Sequence, residues 1–278
     1  MKPYTVEQLN ENTWRISEVY HLPAALPMYL VVGSERAALI DTGMGIGDLL
    51  GTVREITEKP VAVYNTHAHM DHMGGNGQFS EIYMHPLEVA NAHTAADKDD
   101  RIQFIELKCM YDPETEELLD YARKHICEYP TDYPVKTIED GEIVDLGGVS
   151  LEAVCVPGHT AGCLVYVDRK NKTAFCGDAC NPRSIIGYWP GGPTVRDYQA
   201  ALARLLEKTE EVEQYFIGHR LYAFGREDIR DILICAKEIA EGAPGEPCAI
   251  VMSRKGPFRG QIHWYNGKRI VFNPENVR

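Results

Sequence analysis

Apolar residues recur along this chain in two rhythms that keep replacing one another. From Thr13 to Val19 apolar and polar positions alternate, the period of a strand with one buried face. Met28–Val32 and Ala37–Ile40 are shorter and nearly continuous apolar runs, which completes three strands joined by turns. Asp48 then caps a predicted helix whose apolar stripe is Leu49, Leu50, Val53 and Ile56. Pro60 interrupts the chain before a buried strand, Val61-Ala62-Val63-Tyr64, and Glu81–Met84 reads as another. His85 precedes Pro86, a proline suited to the first position of a helix, so His85 is read as structural.

Between residues 93 and 140 the strand–helix rhythm breaks. One helical pattern carries Ile102, Ile105 and Met110; a second, opened by Asp112-Pro113, carries Leu118, Leu119, Ala122 and Ile126. His93 and His125 in this stretch are read as surface residues. Strands resume at 142–146, 149–156, 163–168 and 173–176, and again at 214–217. Thr194 and Asp197 form a predicted capping box before a stripe of Tyr198, Leu202, Leu205 and Leu206. A last helix, 227–241, turns Ile229, Ile232, Leu233, Ala236 and Ile239 inward and ends at Gly242. The tail holds an apolar run at 249–252, and Asn266-Gly267 between two strand-like runs predicts a type I′ hairpin over about 261–272. With no linker, repeat or low-complexity stretch, the expectation is a single domain over 1–278 with a helical insertion at about 93–140. Alternating strands and helices place it in the α/β class.

Composition narrows this. Hydrophobic content of 44% and charged content of 25% suit a folded globular chain. A net charge of −13 argues against nucleic-acid binding, which begins with phosphate neutralisation by a basic surface. Residues Met1 to Glu7 lack the apolar core of a signal peptide, and no apolar run reaches spanning length, so a cytoplasmic protein without a membrane partner is expected. Eight cysteines in that context read as reduced thiols. Cys155, Cys163, Cys176 and Cys180 cluster in sequence but lack C-x-x-C spacing, and are read as buried and inert.

The chemistry concentrates in Thr66-His67-Ala68-His69-Met70-Asp71-His72, the loop after the 61–64 strand. Imidazole nitrogen and carboxylate oxygen are the donors that zinc and similar divalent ions take. A loop can turn His67 and His69 toward one ion while Asp71 and His72 point toward a second. Three more candidates stand at strand ends beside glycine: His159 in Pro157-Gly158-His159, Asp178 in Gly177-Asp178, and His219 in Gly218-His219.

The ordered set H-x-H-x-D-H, then His159, Asp178 and His219, together with the early Ile40-Asp41-Thr42-Gly43 turn, resembles the metallo-β-lactamase superfamily from about Thr13 to His219. The resemblance implies a four-layered αββα sandwich. It implies two divalent metal ions, zinc first, with iron and manganese able to take the same donors. His67, His69 and His159 would serve one ion, Asp71, His72 and His219 the other, and Asp178 would bridge them. Such a pair shares a hydroxide that attacks a carbonyl or phosphoryl centre, with Asp71 orienting it. A carboxylate at 178 resembles the glyoxalase II, lactonase and phosphodiesterase branches, and the expected reaction is hydrolysis of a small thioester, lactone or related ester. Two other readings stand beside it, a mononuclear iron persulfide dioxygenase and a phosphodiesterase.

Departures from the branch are visible: the C-terminal region ends in a hairpin rather than helices, and no glutathione-binding set of basic residues is traceable. Arg220 replaces the glycine that commonly follows the last histidine. Tyr222, three residues beyond His219, is a candidate hydrogen-bond donor to the reacting group, as some lactonase-like relatives place a tyrosine there. Tyr20 and His21 lie in the first hairpin loop, which in the family leans over the metals. Ser253-Arg254-Lys255 and Arg259 are a small basic patch, read as solvated surface ahead of an anion site. His72 and His159 lie 87 positions apart, and the excess is read as the insertion, either a substrate lid or a packing and dimerisation element through which the chain would form a homo-oligomer.

Overall fold

The computed structural model describes residues 3–18, 25–93, 97–109, 116–128, 133–187, 192–251 and 257–278. The first half of the chain runs β1 (Tyr4–Gln8), β2 (Thr13–Glu18), β3 (Leu26–Val32), β4 (Ala37–Ile40), α1 (Leu49–Ile56), β5 (Val61–Tyr64), α2 (Met70–Met73), β6 (Ile82–Met84), α3 (Val89–Ala92), α4 (Lys98–Cys109), α5 (Glu116–His125) and β7 (Lys136–Thr137). Its strands form one sheet in sequence order. Pairing is antiparallel from β1 to β4 and parallel from β4 to β7. The second half supplies β8 (Ile143–Asp145), β9 (Ser150–Cys155), β10 (Leu164–Asp168), β11 (Thr173–Gly177), β12 (Arg183–Ile186), α6 (Val195–Lys208), β13 (Gln214–Ile217), β14 (Ala223–Phe224) and α7 (Arg226–Ala240). Here the sheet order is β14-β13-β11-β10-β9-β8.

The period-2 alternation of the strands explains the layering. In β3, Met28 and Leu30 face Leu49 and Val53 of α1, while Tyr29 and Val31 face the opposite sheet. Between the sheets, Tyr29, Ile40 and Tyr64 meet Leu164, Tyr166, Phe175 and Phe216, with the Phe175 and Phe216 rings stacked at 5.8 Å. On the far side, Tyr198, Leu202 and Leu205 of α6 and Ile229, Ile232 and Ile239 of α7 cover Val154, Val165 and Ile217. The result is the αββα sandwich. The capping box of Thr194 with Asp197 is formed, and Gly242 takes a φ of 99° after α7.

Some elements differ from the pattern-based reading. β1 and β12 had no sequence signal, and β12 leaves the second sheet to pair in parallel with β17 (Lys268–Phe272). With β15 (Glu246–Val251) and β16 (Pro257–Tyr265) they make a third sheet, ordered β12-β17-β16-β15. Asn266 and Gly267, both at positive φ, turn the β16–β17 hairpin. The proposed helix opening at Asp112-Pro113, and Met110, lie outside the described residues, and α5 begins at Glu116. In α4 and α5, Ile105 and Ala122 pack with Met44 and Ile46. His93 is not a surface residue: it is partly buried against Tyr133, ring centroids 5.7 Å apart, whereas His125 is exposed and stacked on Tyr121. No helix among the described residues is long and apolar enough to cross a membrane.

Candidate metal centre

β5 ends at Tyr64, and the chain turns through Thr66 and His67 into the single turn α2, which carries Asp71 and His72. β9 delivers His159, β11 delivers Asp178 and β13 delivers His219, all at strand ends. Crowding there demands glycine. A Cβ on Gly177, at φ 48°, would stand 2.2 Å from Thr66 Oγ1, and one on Gly218 would stand 2.2 Å from Asp178 Oδ1. His219 itself takes a φ of 62°, a conformation costly for a non-glycine residue and one that aims its ring back at the cluster.

Three overlapping sets of side chains each bring donor atoms within 4.8 Å of one another: His67, His69 and His159; His67, His72 and Asp178; Asp71, His72 and His219. Tautomers follow from the acceptor-only partners behind the rings. His72 donates from Nδ1 to Asp41 Oδ2 at 2.8 Å, and His159 donates from Nδ1 to the Ile185 carbonyl at 3.1 Å. Both Nε2 atoms are thereby turned inward. His67 Nδ1 faces Thr66 Oγ1 at 3.1 Å. His67 Nε2 and His72 Nε2 are buried with no hydrogen-bond partner, which is costly for polar atoms unless something else satisfies them.

The spacings fit an ion. His159 Nε2 stands 3.6 Å from Asp178 Oδ2, His72 Nε2 3.8 Å from Asp178 Oδ1, and His219 Nε2 3.6 Å from Asp71 Oδ2. These are too long for hydrogen bonds. Donors about 2.0–2.1 Å from a tetrahedral zinc would be roughly 3.3 Å apart, which is the observed range. The closer pairs, His159 Nε2 with His69 Nδ1 at 3.0 Å and His219 Nε2 with Asp178 Oδ2 at 3.1 Å, fall at its short end.

Charge in the metal-free cluster is divided between its halves. Burial, with the neighbouring imidazoles adding to it, holds His67 well below its ordinary range, and burial followed by His159 pushes His69 down to about 3. Burial also opposes the cationic form of His72, but Asp41 outweighs it and carries the ring up to about 10. His219 is raised because Asp178 overcomes the cost of burial, and the same contact holds Asp178 well below the usual carboxylate range against its own burial. The neutral imidazoles of His67 and His69 thus face a half in which cationic rings and carboxylates neutralise one another.

A family model for the metallo-beta-lactamase superfamily matches residues 27–234. The chain belongs to that superfamily. Among relatives, the acyl-coenzyme A thioesterase MBLAC2 of Gallus gallus is 28% identical over 81% of this chain and 85% of its own length. The Homo sapiens protein of that name is also 28% identical, over 81% and 83%. A hydroxyacylglutathione hydrolase from Synechococcus is 28% identical over 58% of this chain and 52% of its own. A metallo-beta-lactamase family protein of Thermus thermophilus shares the fold, with a TM-score of 0.58 at 19% identity over 84% of this chain and 82% of that one. The relatives are named for hydrolysis, and this member of the superfamily is a hydrolytic enzyme.

Within the superfamily site, reasoning from local patterns missed the residues behind the donors. The Asp41 turn is legible in the sequence, but what its carboxylate does is not. One oxygen accepts from Thr66 N and the other from Thr66 Oγ1 and His72 Nδ1, each at 2.8 Å. Glu88, fully buried, accepts from Ala68 N at 3.0 Å and Gly162 N at 2.7 Å, tying the His67–His69 loop to the His159 loop. His85, as expected, caps a short helix, accepting from Leu87 N. Tyr222 is 58% exposed, its ring 5.6 Å from Phe224, and Arg220 donates to the His219 carbonyl at 2.7 Å. Cys163, Cys176 and Cys180 are buried, and Cys176 lies in the core under α6 and α7. Tyr20, His21 and Ser253-Arg254-Lys255 lie outside the described residues.

Proposed function

We propose that this chain is a dinuclear metal-dependent hydrolase of a small acyl thioester, the substrate class for which its acyl-coenzyme A thioesterase relatives are named. One observation carries the dinuclear reading. Asp178 lies between the two donor groups, with Oδ2 3.6 Å from His159 of the first and 3.1 Å from His219 of the second, and Oδ1 3.8 Å from His72 of the second. A single carboxylate thereby borders both donor groups, which supports a pair of ions flanking it. His67, His69 and His159 would hold one, Asp71, His72 and His219 the other. Zinc is assigned first, since the donors are imidazole and carboxylate.

When bound, such a pair supplies Lewis acidity and water of strongly lowered pKa. The protein's own residues supply orientation. Asp71 is kept ionised, because His72 and His219 offset the cost of its burial, and it accepts the proton side of an attacking water. Asp41 fixes the His72 tautomer and Glu88 fixes the distance between two ligand loops. Tyr222 donates a hydrogen bond to the oxygen on which charge develops. A cysteine nucleophile is disfavoured, since burial raises the Cys163 and Cys176 thiols well above their usual range. The acidic balance supports a small-molecule substrate and action without nucleic acid.

Elemental analysis beside turnover tests the reading. About two zinc or manganese ions per chain with hydrolysis of an acyl-coenzyme A is the expected result. One iron per chain, with oxygen uptake on a persulfide and no thioester hydrolysis, would overturn it.

A further inference from the structure

The third sheet carries a row of side chains that the metal centre does not use. Arg183 of β12 and Arg269 of β17 are directly paired, and Arg269 is paired in turn with Trp264 of β16. Cross-strand partners project to the same face, so the three stand side by side. Ser184 and Ile186, of opposite parity, are buried beneath that face. The Arg269 guanidinium lies 5.5 Å from the Trp264 ring centroid, and its Nε is buried without a hydrogen-bond partner. Neither guanidinium is paired with a carboxylate among the described residues. Glu246, two positions from the Trp264 row on the same face, pairs with Ile262 in the ladder and contacts neither arginine.

Like charges directly opposite one another weaken a sheet. Here two arginines are held together beside a Trp ring that is 52% exposed, in a protein of net charge −13. A planar guanidinium pair with one unsatisfied buried donor suits a phosphate group, and a flat exposed indole suits an aromatic base. The row also adjoins the reaction centre. Asn181, two residues before Arg183, reaches Asp178 Oδ1 at 3.5 Å, and Ile185, two residues after it, accepts from His159 Nδ1 at 3.1 Å. Arg183 and Ile185 are about 7 Å apart along the strand, and Trp264 is about 10 Å from Arg183 across two strands. A pantetheine arm, equivalent to about four extended residues or roughly 14 Å, is of the length needed to link the two places.

We propose that Arg183, Arg269 and Trp264 form a subsite for the phosphorylated adenosine end of a coenzyme A thioester. The proposal rests on the thioesterase reading for its catalytic half, but not for its binding half. It predicts selectivity at a distance. Phosphates on the arginines and adenine on the indole hold the leaving group's tail, so the subsite lowers KM for acyl-coenzyme A and contributes nothing to a thioester that lacks the nucleotide.

The test uses the metal-loaded full chain and its Arg183→Gln, Arg269→Gln and Trp264→Ala variants. Turnover of an acyl-coenzyme A is compared with that of the matching S-acyl-N-acetylcysteamine, and 3′,5′-ADP binding is measured by calorimetry. Each arginine change should raise KM for acyl-coenzyme A about tenfold, with kcat and the truncated thioester unaffected. The affinity for 3′,5′-ADP should fall by a similar factor. Equal losses on both thioesters, or unaltered 3′,5′-ADP binding, would overturn the subsite. Lost 3′,5′-ADP binding with unaltered acyl-coenzyme A kinetics would do so too, by marking a separate nucleotide site. Wild-type protein that binds 3′,5′-ADP through these residues but hydrolyses no thioester would refute the catalytic reading and leave the subsite standing.

Discussion

Replacing Asp41 with asparagine isolates the part the protein plays in setting up the second group of donors. Asp41 sits at φ 61°, a backbone conformation that asparagine adopts readily, and the two side chains are nearly isosteric. The change therefore alters hydrogen bonding more than shape. Oδ1 now accepts from Thr66 N and Oδ2 from Thr66 Oγ1 and His72 Nδ1, all at 2.8 Å. An amide has one oxygen for these donors. If it stays with Thr66 N, the amide NH2 faces His72 Nδ1, which favours the tautomer protonated at Nε2, the nitrogen aimed at Asp178. Loss of such a partner behind a ligating histidine costs about 10–100-fold in metal affinity, or roughly 1.4–2.7 kcal/mol. Of His67, His69 and His159, only His67 is linked to Asp41, through Thr66 Oγ1, so one equivalent of zinc should bind almost as before. Competition against a chromophoric chelator should accordingly resolve one near-normal and one weakened site. Two equivalents at wild-type affinity would refute the reasoning. The metal-free protein offers a second readout. Its His72 is raised from 6.5 to about 10, chiefly by Asp41 working against burial. The stability from that pair is therefore complete below about pH 6.5 and is lost as pH rises through about 10, so Asp41→Asn should flatten this alkaline loss in melting temperature.

Asp178→Ala should fold, retain about one metal per chain and lose most hydrolysis, at least about 10–100-fold; two tight metals with near-normal turnover would show that Asp178 is not a bridge. Because His72 and His219 are both raised in the metal-free cluster, ions must displace protons, and affinity should climb with pH by up to about tenfold per unit for each proton released. A flat profile between pH 6 and 9 would contradict that. Tyr222→Phe should lower kcat with little change in KM if the phenol acts only on developing charge, and wild-type kcat on every accepted thioester would remove it from the mechanism. Arg101 is fully buried in α4 and donates to the carbonyls of Met44, Gly74 and Cys127 at 2.8, 2.9 and 2.6 Å. Arg101→Gln should cost about 3 kcal/mol or more, roughly 6–12 °C in melting temperature, and an unchanged melting temperature would mean those carbonyls find other donors.

Residues near one another in the chain announced much of this protein. The 61–64 strand, the histidine-rich loop behind it and the capping box at Thr194 depend on periods and spacings of a few residues, and a linear pattern preserves those. So do the identities of seven candidate donors, because metal chemistry restricts the residue types. What lay beyond the pattern is long-range. β12 is only four residues long and is a strand because β17, more than eighty positions later, pairs with it. His69 and His159, 90 positions apart, come within 3.0 Å only when two sheets pack face to face. The Asp41 turn stands out in the sequence but the task of its carboxylate does not, and Glu88 looks like an ordinary surface acid; both are buried, and they set the tautomer of one donor and the separation of two loops. The sequence by itself determined which atoms are available to bind ions. Tertiary structure alone decided which lone pairs face inward and how far apart they stand, because a hydrogen bond between distant residues leaves no period in the chain to read.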